Sequence, residues 1–265
     1  MPHKDGFVPE LSIVIPTVNQ ATLTVRCFAS IRKWTKTPYE IVWVDNGSRQ
    51  EEHNIILKQA RCPRVHTKLV RFKHNTGFVR GTNAGIKEAE GKYVVLLNND
   101  TEVTVNWDKK LIYPLAKDPK VGCVGPITQS KIAWQEACSL NARWQLGLPT
   151  YRANPGEYAR DLDRNFGKRY IDTKKLPLSF FCAAFRRETF DRYGVLCEDF
   201  GYGLGDDDEY CHRLRSAGLQ LVLSLGTFVM HHHRTTFSAL GLNVDGIRRH
   251  NIGVLRDKTR KKPGG

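Results

Sequence analysis

Short runs of branched apolar residues alternate with amphipathic stretches through the first hundred positions. Leu11–Pro16 (LSIVIP), Ile41–Asp45 (IVWVD), Val65–Phe72 and Tyr93–Leu97 (YVVLL) each end at polar residues. Continuous apolar strands of this length are covered on both faces, which fits a parallel sheet better than an antiparallel one with a wet face. Helical patterns lie between them. Leu23, Cys27, Ile31 and Trp34 recur every three or four positions and predict an apolar stripe. Ser48-Arg49-Gln50-Glu51 has the form of a capping box and predicts a helix contributing Ile55, Ile56 and Ala60. A third helix is predicted from Phe78 to Ala89, with Gly91 as its C-cap. The order β-α-β-α-β-α-β is an open α/β layer.

The second half is less regular. Residues 123–180 carry many turns and short basic segments, with Trp134, Trp144, Tyr151, Tyr158 and Tyr170 among them. Trp134, Trp144 and Tyr151 are candidates either for stacking on a sugar or base or for packing. A helix is predicted over Asp206–Ala217, ended by Gly218, and Leu219–Met230 reads as one or two strands. The charge-rich stretch from Arg248 to Lys262 is expected to be mobile.

Composition narrows the class. The 265 residues are 40% hydrophobic and 26% charged, an ordinary globular balance with room for one large domain or two small ones. The longest apolar candidate, Leu219–Met230, is interrupted by Gln220, Ser224, Gly226 and Thr227, so no membrane helix is expected. No apolar leader is read in the first residues, and seven cysteines without dense spacing fit a reducing compartment; the expectation is a cytoplasmic protein. The net charge of +14 is concentrated: seven Lys/Arg and no acid lie between Lys58 and Arg80, and seven Lys/Arg against two Asp lie between Gly241 and Gly265. Such a field suits an anionic partner, whether a phosphorylated small molecule, a nucleic acid or a membrane surface met peripherally by the basic tail; a solvated basic face is the plainer alternative.

Candidate chemistry gathers where the strands end, which is where open α/β sheets bind ligands. The first strand delivers Pro16-Thr17-Val18-Asn19, the second Asp45-Asn46-Gly47-Ser48, and Tyr93–Leu97 delivers Asn98-Asn99-Asp100. Asp100 after a buried strand suits a hard cation that bridges phosphate oxygens. Four consecutive acids, Asp206 to Glu209, repel one another in a basic chain; a helix N-terminus, a cation or catalysis offsets that. His231-His232-His233 follows the last apolar stretch, and in a strand register His231 and His233 share a face.

In order, PTVN, VDNGS, NTGFVRGTNAGI, YVVLLNND, GDDDEYCHRLRSAG and HHHRTTF resemble a family 2 glycosyltransferase of GT-A fold, over Leu11 to Phe237. The resemblance implies a Rossmann-like open, twisted, mostly parallel sheet flanked by helices, with an acceptor-side subregion. It divides one domain of 1–265 into a nucleotide-binding half (10–101), an acceptor-side half (102–240) and a basic C-terminal tail (241–265). It implies that Pro16, Thr17 and Asn19 line the nucleoside pocket, that Asp45 meets the base, and that Asn75, Gly77, Phe78, Arg80 and Asn83 lie near the donor diphosphate and sugar. Asn98-Asn99-Asp100 takes the place of the Asp-x-Asp metal motif, with Asn98 replacing the first Asp, so Asp100 is the main carboxylate ligand. His231, or in second place His233, would complete the site for Mn2+ or Mg2+. Asp207 is assigned as catalytic base, with Asp206 and Asp208 as neighbouring competitors. The implied activity is inverting transfer from a nucleotide sugar to a glycan, lipid-linked sugar, protein or modified DNA base. A nucleotidyltransferase and a non-catalytic nucleic-acid-binding module stand as alternatives. The absence of Gly-x-Gly-x-x-Gly after the first strand argues against a dinucleotide-binding dehydrogenase.

Overall fold

Strand β1 (Leu11–Thr17) is buried throughout and sits inside a parallel set with β2 (Tyr39–Asn46), β3 (His66–Phe72) and β4 (Tyr93–Leu97). The computed structural model describes residues 6–63, 65–129, 135, 146–151, 153–232 and 241–260. Beyond β4 the sheet turns mixed. The remaining strands are β5 (Thr101–Val103), β6 (Val121–Ile127), β7 (Tyr170–Asp172), β8 (Cys182–Arg186) and β9 (Gln220–His231). The described strands form one nine-stranded sheet in the order β3-β2-β1-β4-β8-β6-β9-β5, with β7 paired to β9. The predicted α/β layer is therefore present, and Leu219–Met230 forms a single strand.

Alternation along the central strands separates two cores, because successive side chains leave a strand on opposite faces. Val14, Val42, Val44, Val94 and Leu96 face one core, with α3 (Phe78–Glu88), α5 (Pro155–Phe166), α6 (Arg187–Tyr193) and α7 (Asp206–Ser216). Ile13, Ile15, Ile41, Trp43 and Val95 face the other, with α1 (Ala21–Trp34), α2 (Gln50–Ala60) and α4 (Trp107–Lys117). Both layers are apolar, which is why the strands read as continuous runs.

Several local expectations are corrected. Ser48 does not cap α2: the N-cap is Arg49, without a side-chain bond, and Ser48 Oγ instead accepts the Asn19 N–H at 2.8 Å. Ile55 lies outward at 53% exposure, while Ile56 and Ala60 are buried. Leu23 and Trp34 are only half-buried, so Cys27 and Ile31 carry the stripe together with Phe28. Helix α3 ends at Glu88, and Gly91 is not its cap. Gly91 serves close approach instead, since a Cβ there would stand 2.6 Å from the Ser12 backbone nitrogen. The segment expected to be mobile is helical from Arg248 to Arg260, as part of α8 (Val244–Arg260). Among the described residues no helix is long and apolar enough to cross a membrane.

Candidate active site

The end of β4 and the end of β9 meet through β5. Thr101 pairs with His231 in the β5–β9 ladder, and the His232 N–H donates to the Asp100 carbonyl at 2.9 Å. This brings His231 Nε2 to 3.1 Å from Asp100 Oδ1, with both residues buried. The His231 ring stacks on Phe181, with centroids 4.9 Å apart and planes 10° apart. Gln129 grips the same residue at both backbone groups, accepting its N–H at 3.2 Å and donating to its carbonyl at 3.0 Å. His233 lies outside the described residues.

This pair fits a divalent cation. Ligands at about 2.1 Å on adjacent octahedral positions lie about 3 Å apart, the separation already present between the carboxylate oxygen and the imidazole nitrogen. Among the described residues no group of three or more His, Cys, Asp or Glu side chains could hold a metal alone. A cation that keeps several waters and bridges substrate phosphates needs only one or two protein ligands.

The acidic run opens α7. Asp206 is buried, and burial raises its carboxyl to about 6, although backbone N–H groups of Leu204, Asp206 and Asp207 pull it down. Asp207 is half-buried. Desolvation, then the neighbouring Asp206 and Asp208, push its carboxyl well above the usual carboxylate range. The Asp208 N–H reaches Asp207 Oδ1 at 3.0 Å, and the Phe180 backbone also bonds this carboxylate. Phe180 and Phe181 are thus consecutive residues with one neighbour at each centre: the Phe180 backbone works against the rise of the Asp207 carboxyl, and the Phe181 ring covers His231. The Phe181 carbonyl also accepts the Asn98 N–H at 2.8 Å.

The expected donor-side residues divide into two groups. Some are engaged inside the protein. Asp45 is fully buried; its Oδ1 accepts the Ser48 N–H, and its Oδ2 lies 2.5 Å from His53 Nδ1 and 3.2 Å from Arg71 Nε. Both carboxylate oxygens are thus bonded within the protein. Thr17 Oγ1 donates to the Val44 carbonyl and accepts the Trp43 indole N–H, and Pro16 is buried beside it in β1. Asn83 is also interior, clasping the Leu196 N–H and carbonyl at 3.0 and 2.9 Å. Asn99 is buried and donates to Thr24 Oγ1.

The second group is half-buried or exposed, apart from the buried Gly77. Asn19, at φ 54°, lines a cleft of about 330 Å3 with Gln20, Thr22, Arg49 and Glu52. Asn75 and Gly77 form a turn held by Asn46, which donates to Asn75 Oδ1 and the Gly77 carbonyl and accepts from Thr76. Phe78 opens α3 beside Gly203, and Asn98 is half-buried at the end of β4. Arg80 is 63% exposed at its side chain and pairs with Glu198 at 3.1 Å, so it already has a carboxylate partner. Tyr151 packs against Tyr158 and Phe228 and belongs to the core; Trp134 and Trp144 lie outside the described residues.

Sequence reasoning missed Gln129, Phe181, Glu198 and Asn251. Only Asn251 carried a local signal, as the single polar residue on a stripe with Val244, Ile247, Val254 and Leu255.

The fold is that of GT-A glycosyltransferases. Two solved structures, GalNAc-T7 with UDP, GalNAc and Mn2+ and the mannosyltransferase PcManGT from Pyrobaculum calidifontis with GDP-Man and Mn2+, each match at a TM-score of 0.64 and 19% identity. They cover 84% and 97% of this chain, and 44% and 66% of their own chains are covered. The family model of glycosyl transferase family 2 matches residues 12–194, and the chain belongs to that family. Curated relatives include the O-antigen biosynthesis protein RfbC of Myxococcus xanthus, 28% identical over 84% of this chain, and the hyaluronan synthase of Pasteurella multocida, 28% identical over 79%. The chain spans 17% of the first and 24% of the second.

Proposed function

We propose that the protein transfers a sugar from a nucleotide-diphosphate sugar to a saccharide hydroxyl by a single inverting displacement. The observation that carries this is the Asp100–His231 pair, held 3.1 Å apart where the β5–β9 ladder brings the ends of β4 and β9 together. Asp207 is the base. As the acceptor oxygen bonds to the anomeric carbon, its proton passes to Asp207, and the bond from that carbon to the diphosphate oxygen breaks. Because the nucleophile enters opposite the leaving group, the anomeric configuration inverts. The raised carboxyl of Asp207 suits a general base, because its ionised form binds a proton strongly and is populated only as pH rises. Asp100 and His231 would hold a divalent cation, Mn2+ or Mg2+, which supplies charge neutralisation for the departing diphosphate.

Asn19, Asn75, Gly77, Phe78 and Asn98 border the donor side, and Asp45 supports it from below by fixing the turn at Ser48. The names of RfbC and hyaluronan synthase support a growing glycan as acceptor class. Six described cysteines are free thiols, in keeping with a reducing compartment such as the cytoplasm.

The deciding experiment offers a panel of nucleotide sugars with Mn2+ and saccharide acceptors, following released nucleoside diphosphate by mass and the product anomer by NMR. An inverted product is expected, and a retained configuration overturns the mechanism.

A further inference from the structure

Helix α8 lies beyond the residues matched by the family model, yet it holds the loop that leads into the acidic helix. Val244, Ile247, Val254 and Leu255 on its inner stripe are half-buried, and Asn251 among them is enclosed at 3% exposure. Asn251 Nδ2 stands 2.6 Å from the Gly203 carbonyl, 3.1 Å from the Leu204 carbonyl and 3.3 Å from the Phe200 carbonyl. Two amide protons therefore serve three carbonyls of one loop. That loop is built from left-handed residues: Gly201 at φ 52°, Gly203 at 97°, Leu204 at 72° and Gly205 at 118°. A leucine in this region is disfavoured unless its surroundings hold it there.

The Gly203–Leu204 peptide connects α8 to the acidic pair. A trans peptide points its carbonyl and its N–H in opposite directions, and no described peptide bond is cis. The carbonyl edge is held by Asn251, and the Asp206 carboxylate lies against the same peptide, its Oδ1 3.4 Å from where a Cβ on Gly203 would stand. We propose that Asn251 is a positioning residue for the acidic pair: it sets the plane of the Gly203–Leu204 peptide, and that plane orients Asp206 beside Asp207. The catalytic part of this inference rests on the reading of Asp207 as the base.

Asn251→Leu keeps the side chain's bulk and removes both donors. Carboxyl 13C NMR on the purified protein reads the Asp206 titration without any donor sugar. The charged groups beside Asp206 are Asp207 and Asp208, while Lys258 and Asp199 pair with each other at 2.7 Å across the α8 contact. Releasing the Gly203–Leu204 peptide from its place against Asp206 is expected to raise the Asp206 midpoint by about one pH unit. It should also lower kcat about tenfold with donor KM within about twofold. Lys258→Ala, which loosens α8 without touching the peptide, should leave the midpoint in place. An unmoved midpoint in Asn251→Leu, or a shift of equal size in Lys258→Ala, overturns the proposal. If the leucine variant does not fold, Asn251→Ser, with one donor on a shorter arm, must show the upward shift, and a wild-type midpoint there overturns it. A shifted midpoint in a protein whose Asp207→Asn variant keeps wild-type turnover upholds the clamp and removes Asp207 as base.

Discussion

At the residue scale, the acidic pair combines reactivity with instability. Asp206 holds its proton up to about 6 in the folded protein, whereas an unfolded aspartate releases it near 3.9. Between those values the native state binds more protons than the unfolded state, so stability falls as pH rises from about 4 to about 6. Asp206→Asn removes that cost. Its Tm should exceed that of wild type at pH 8 and converge with it below about pH 4, as calorimetry across pH would show. Asp207→Asn is expected to lose about 10²–10⁴-fold in kcat with little change in donor KM, measured by nucleoside diphosphate release. Wild-type turnover should rise with pH through the elevated Asp207 titration; a profile falling with pH over that range would contradict a base there.

At the element scale, the site depends on turns that touch one another. Gly77 caps α3 at φ 92°, and a Cβ there would stand 2.7 Å from the Gly201 carbonyl. That carbonyl accepts the Val79 N–H at 3.1 Å, so the donor-side turn leans directly on the loop before α7. Gly77→Ala should destabilise the protein by ~1–3 kcal/mol in urea unfolding, through strain and the close contact together. Its donor KM should rise, because Phe78 and Asn75 move with the turn. Asn83 makes the same junction from inside α3 through Leu196. Helices α3, α7 and α8 thus converge on Phe200–Gly205.

At the scale of the whole molecule, three of the seven basic residues between Lys58 and Arg80 are paired. Within the basic block Lys68 bridges buried Glu40 and Glu90 at 3.0 and 2.8 Å, Arg71 meets Asp45, and Arg80 meets Glu198. The field read from the sequence is therefore partly consumed in holding β3 and α3 to their neighbours. The architecture also has its own support for the pair proposed to hold the metal: Asp100 and His231 contact each other, and the β5–β9 ladder holds them there. Treatment with a chelator should accordingly stop turnover while changing Tm by no more than about 2 °C, since the fold does not draw its stability from the ion. Asp100→Ala should remove the Mn2+ dependence of nucleotide binding in calorimetric titration.

The strand–helix order, the parallel sheet and the acidic helix were readable in the chain because burial on both faces and the 3.6-residue period are local properties. The positions of Asp100, Asp207 and His231 were readable for a related reason: each sits at or next to an element end that the pattern marks. The intramolecular partners of Asp45, Thr17 and Asn83 were not, because polar residues at strand ends and on helices look alike whether they face a ligand or satisfy buried groups of their own chain. Only the packing decided that Asp45 meets His53 and Arg71, that Arg80 meets Glu198, and that Asn251, about 50 positions after the glycine loop, holds it. Such contacts join segments far apart in sequence. The tertiary fold alone determines their partners, since hydrogen bonding of buried groups is satisfied in space and carries no period along the chain.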